Sequence, residues 1–111
     1  ITTTTLTGNV GVDQELSGSA NMCTDYPTCS GGTPISVSYQ KYSLSESTAY
    51  SSGSTLSTTP TAVELNVPKP LNATPTTKDT WWGIFVPSGT LPGSYGGVNT
   101  ITVVKGEILN W

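Results

Sequence analysis

The stretch Trp81–Lys105, WWGIFVPSGTLPGSYGGVNTITVVK, reads as two β-strands joined by a connection built almost wholly from turn residues. Trp, Ile, Phe and Val favour a pleated, half-buried surface. Pro87, Gly89, Pro92 and Gly93 then stop the ladder, and VNTITVV starts it again. The C-terminal end of the chain is therefore all-β. Adjacent strand residues face opposite ways, so Trp81 and Trp82 belong to different faces. The phase with Ile84 and Val86 predicts Trp82 in the core. Trp81, with Phe85 on its face, is then free to cover a second apolar surface, meet a partner subunit or stack on a sugar ring. Tyr95 is expected to pack as a corner at the start of the last long strand.

Period two recurs outward from this stretch. Leu6, Gly8, Val10, Val12 and Leu16 share one parity; Ile35, Val37 and Tyr39 form another set; Val63, Leu65 and Val67 a third; Ile101 and Val103 a last one. No segment combines helical spacing with helix formers, and Pro, Gly, Ser and Thr punctuate at intervals suited to a sandwich. The expectation is one domain over residues 1–111, an antiparallel β-sandwich of about seven to eight strands. The hydrophobe-poor segment 42–61 is expected to be a surface loop, or a sheet-switching loop with one short edge strand.

Only 10% of the residues are charged, and the chain has no His. All four basic residues are lysines. The commonest acid/base and metal ligand and the bidentate phosphate binder are thus missing together. With a net charge of −3 there is nothing to attract a phosphate backbone, and nucleic-acid binding is not expected. The seven carboxylates are scattered; only Asp13 and Glu15 stand two apart. A paired-acid hydrolase needs more than that, and the serines have no His to activate them. The chain reads as a non-enzyme with no cofactor and no metal; a calcium site from Asp13, Glu15 and Asp25 would lack any loop motif. Cys23 and Cys29 flank Tyr26-Pro27, a turn, and a local disulfide suits the export-like composition. No apolar run approaches the ~20 residues of a membrane span. Asn72-Ala73-Thr74 is a glycosylation sequon in a Pro-rich loop.

The run VPSGTLPGSYGGVNTITV, Val86–Val103, resembles the "VPxGTxPGxYxG…ITV" closing strands of immunoglobulin-like domains in secreted and surface proteins of archaea and bacteria, including subunits of extracellular filaments. It covers about a sixth of the chain. The resemblance implies an immunoglobulin-like fold, an extracellular or cell-surface location and a structural role. Type IV pilins build their filament core from a long hydrophobic N-terminal helix, which this chain lacks, so a filament of it needs another device.

The N-terminal stretch ITTTTLTGNVGV supplies a candidate. It carries neither charge nor Pro, the features that normally blunt an exposed strand edge. Read as one strand to Leu16 it would run ~50 Å, longer than the ~35 Å expected for the domain, so part of it must break or project. A projecting segment 1–7 would donate a strand to a neighbour, with Ile1, Thr3, Leu6, Val10 and Val12 contributing to the contact. Head-to-tail donation does not close and yields a fibre. The expected partners are copies of the chain itself. The alternatives are an ordinary first strand, and a carbohydrate-binding module or accessory domain of a secreted protein. A glycan-binding role would use Trp81, Trp111 or Tyr26 as stacking surfaces.

Overall fold

Strand-forming runs broken by Gly, Pro and Ser give nine β-segments over residues 1–107, the part of the chain that the computed structural model describes. They are β1 (Thr2–Leu6), β2 (Val12–Gly18), β3 (Asn21–Met22), β4 (Ile35–Ser36), β5 (Gln40–Ser43), β6 (Ser54–Thr55), β7 (Thr61–Val67), β8 (Thr76–Ile84) and β9 (Asn99–Lys105). All pairings are antiparallel. A four-stranded sheet runs β1-β8-β5-β6, a three-stranded sheet β7-β2-β9, and β3 pairs with β4. The chain is an all-β sandwich, as its periodicity predicts, with extents of 50 × 28 × 22 Å.

The core sits between the two larger sheets. Leu16, Val37, Tyr42, Leu56 and Val63 form its main cluster, with Trp82 packed against it. Val12, Leu65 and Val67 form a second, which Leu6 joins. The parity of Val63, Leu65 and Val67 is as expected, and Trp82 lies against the core. Leu56 comes from the segment expected to be a surface loop or a sheet-switching loop with one short edge strand; β6 is such an edge strand, and Leu56 just after it is almost fully buried, its N–H donating to the Gln40 carbonyl at 2.9 Å and tying the chain alongside β5. The polar pair Gln14 and Thr80 is also buried; Gln14 Nε2 donates to Thr80 Oγ1 at 2.9 Å, joining the two sheets.

Four expectations about the buried sets change. Tyr39 leaves the buried set of Ile35 and Val37 because Val37–Tyr39 is a 3-10 turn, which ends the two-residue period. The expected continuous run from Leu6 to Leu16 breaks after Leu6, and residues 7–11 carry the chain from one sheet to the facing one. Ile84 and Val86, expected in the core with Trp82, are 49% and 56% exposed. Ile101 and Val103 are 38% and 55% exposed. The last two changes have one cause: these side chains face the right way, but the facing sheet ends before it covers them.

Candidate functional site

The inward direction of the uncovered residues follows from their partners. Gln40 and Tyr42 on β5 are buried, and Ile84 and Trp82 stand directly opposite them on β8, hence on the same face. Across the gap, Asn99 Nδ2 donates to Gln40 Oε1 at 2.8 Å, so Asn99, and with it Ile101 and Val103 two and four residues on, points between the sheets. Among the described residues β9 is an edge strand of its sheet. Opposite it, β1 pairs with β8 only from Thr76 to Thr80. Among the described residues no strand flanks Trp81–Ile84 on that side. Trp82 and Ile84 on one sheet and Ile101 and Val103 on the other thus face the space between the sheets along an open edge, the cleft between β8 and β9. Ile84 also lines a hollow of about 410 Å3, with Met22, Ile35, Val86, Leu91 and Tyr95 among others. None of these side chains is charged.

β1 holds the other half of that edge position. Trp82 Nε1 donates to Thr2 Oγ1 at 2.9 Å, and Thr3 Oγ1 donates to Asp79 Oδ1 at 2.7 Å. Leu6 reaches the second core cluster, whereas Ile1 is 72% exposed. Of the residues expected to act in strand donation, Thr3 lies on the outer face, Leu6 and Val12 meet in the core and Val10 is half-buried in the crossover. Within a single chain, then, residues 2–6 pair with the chain's own β8.

On the outer face of the four-stranded sheet, Phe85 packs at a tilt against Tyr39 and Tyr50, with ring centroids 5.7 and 6.2 Å away. Lys41 Nζ lies 4.9 Å above the Tyr50 ring. Beside this cluster a hollow of about 270 Å3 is lined by Trp81, Tyr50, Lys41, Glu46 and Ser43 among others. Trp81 and Phe85 do share the outer face, though Trp81 is half-buried. Trp111 lies outside the described residues.

The chain matches no protein-family model, no curated protein and no solved structure. Its remaining candidate groups are local. Cys23 and Cys29 form the expected disulfide. Within its loop the Asp25 carboxylate accepts from both Ser30 N–H and Ser30 Oγ at 3.0 Å, bonds that lower its pKa. Asn72 is exposed, its Oδ1 accepting from Thr74 N–H at 2.8 Å. Tyr95 donates to the Leu91 carbonyl at 2.7 Å, making the corner its position predicts.

Asp13, Glu15 and Asp25 do not converge. Asp13 instead meets Glu64 and Glu107, with oxygens within 4.8 Å of one another. The link was hidden because a bulge in β7 makes it. Val12 stands opposite Val67 but Gln14 opposite Val63, Asn66 takes a positive φ of 55°, and its N–H donates to buried Asp13 Oδ1 at 2.7 Å. A three-carboxylate group has the oxygen donors a hard cation takes. Within the group a hydrogen bond with Glu107, then repulsion from Glu107 and Asp13, raises the Glu64 pKa.

Proposed function

We propose that this chain is a structural subunit of an extracellular filament or surface layer, assembled head-to-tail by exchange of its N-terminal strand. One observation carries the reading: β1 fills barely half of the edge position beside β8 and leaves inward-facing apolar side chains uncovered beyond it. A sheet with a part-filled edge is a site for strand addition. The composition and the resemblance of residues 86–103 to surface-filament subunits point the same way.

Electron microscopy and sedimentation of the purified chain test this. The full chain should form fibres or sheets, and the chain lacking residues 1–7 should stay folded or partly complemented but unassembled. Leu6→Asp should likewise block assembly, because a carboxylate in an apolar groove is costly to desolvate. Fibres of normal repeat from the truncated chain would overturn strand exchange.

A second reading, glycan binding, is favoured by the hollow of about 270 Å3 where Trp81 and Tyr50 meet Lys41 and Glu46. Aromatic faces beside charged groups suit sugar rings and their hydroxyls. Retardation in polysaccharide-containing gels that Trp81→Ala abolishes would support it, and equal mobility of the two proteins would remove it.

A further inference from the structure

We infer that the open cleft between β8 and β9 is an acceptor for residues 2–10 of a second copy of this chain, bound antiparallel to β8 and slid by four positions from the register that β1 adopts within its own chain. This rests on the strand-exchange reading and specifies its geometry.

Length argues first. β8 offers nine residues, Thr76–Ile84, but β1 covers five of them. Within one chain it can do no more, since the chain must turn at residue 7 to reach β2 in the facing sheet. A segment from another copy has no such turn to make. Extended, residues 2–10 span about 30 Å, the length of β8.

Register argues second. Thr2 stands opposite Thr80 within the chain. Side chains alternate, so only an even slide keeps Thr2, Thr4 and Leu6 facing inward. A slide of four sets Thr2 opposite Ile84, Thr4 opposite Trp82, Leu6 opposite Thr80 and Val10 opposite Thr76. Every residue of β8 then has a partner. Val10 takes the place that Leu6 holds beside Val12, Leu65 and Val67, and Leu6 moves toward Val103, whose neighbour Gln14 bonds Thr80. The displaced β1 is free to do the same in the next copy, which makes the contact head-to-tail and non-closing.

Chemistry argues third. The cleft walls Trp82, Ile84, Ile101 and Val103 are uncharged, and so is the whole of residues 1–12. A strand with no charged side chain brings none of its own to desolvate there.

Paired cysteines in the full-length chain test the register. Thr2→Cys with Ile84→Cys should give a ladder of covalently linked chains on non-reducing gels of assembled material, and no bond within a monomer, where Thr2 and Ile84 lie about 13 Å apart along the strand. Thr4→Cys with Lys78→Cys, opposite one another in the closed chain, should close within the monomer and lose that closure on assembly. Ile84→Lys should melt with the unmodified monomer, as Ile84 is already half exposed, yet lower the sedimenting fraction about ten-fold or more. Fibres that form normally with Ile84→Lys, or in which Thr4 and Lys78 still close within one chain, would overturn the cleft as acceptor while leaving assembly itself standing. A bond from Ile84→Cys to Trp111→Cys would assign the cleft to the C-terminal tail and overturn it too. A chain that never sediments would remove both the cleft and the assembly reading.

Discussion

Gln14 and Thr80 show what one buried polar contact does in a sandwich with so few charges. Both are almost wholly buried, and the bond between them is a side-chain link from β2 to β8 across the core. Among the described residues no buried side-chain polar atom is left without a partner. Thr80→Val keeps the shape but takes away the acceptor of the Gln14 amide, and should cost about 1–3 kcal/mol in chemical denaturation. Adding Gln14→Met to it should restore part of the loss, since removing both polar partners is far milder than orphaning one. If the double variant is no more stable than the single one, the bond is not what Thr80 contributes. Gln14 shares the parity of Val12 and Leu16, so its inward direction was readable. That it had a partner was not, because Thr80 is distant in sequence.

At the scale of elements, the strands keep their expected faces, but their side chains are buried only where two sheets overlap. β7 obeys its alternation through a bulge, and β8 and β9 keep theirs while Ile84, Ile101 and Val103 stay exposed. Hydrophobic alternation reports which way a side chain points; whether anything lies opposite depends on strand order, which a single sequence does not carry. β2 ends at Gly18 for a reason of space. A Cβ there would stand 2.8 Å from both Leu56 Cδ2 and Val37 Cγ2, so Gly18 lets β2 approach the segment after β6, where its N–H donates to the Ser57 carbonyl at 2.9 Å. Gly18→Ala should destabilise by about 1–3 kcal/mol through overpacking, measured by thermal or urea unfolding. Gly31→Ala, with open space about its Cβ, should be close to neutral by comparison.

For the molecule as a whole, the acid group of Asp13, Glu64 and Glu107 links β2, β7 and the chain after β9, and it sets a pH dependence. Folding brings Glu107 and Asp13 to Glu64 and raises its pKa above the ordinary 4.5. A carboxyl whose pKa rises on folding stabilises the fold while protonated. That contribution is complete below the ordinary value and is lost as pH climbs through the raised one. Asp25 has the opposite sign: Ser30 lowers its pKa, so its contribution holds above the ordinary 3.8 and is lost as pH falls. Melting temperatures taken from pH 3 upward, about one unit apart, should therefore decline across the range just above Glu64's ordinary pKa, and Glu64→Gln should remove that decline. A decline of the same size in Glu64→Gln would place its source elsewhere.

By itself the sequence determined the all-β class, the disulfide between Cys23 and Cys29, the corner at Tyr95 and the inward sets on β2 and β7, because each follows from local backbone chemistry or from an alternation only a few residues long. Tertiary structure alone decided where that alternation is used. It split residues 1–16 between two sheets, brought Leu56 into the core from a Ser-rich segment, gathered Asp13 with Glu64 and Glu107 across a bulge, and left Trp82, Ile84, Ile101 and Val103 along an open cleft. Those outcomes depend on which strands become neighbours, and strand neighbours are chosen by the packing of distant segments rather than by any one of them.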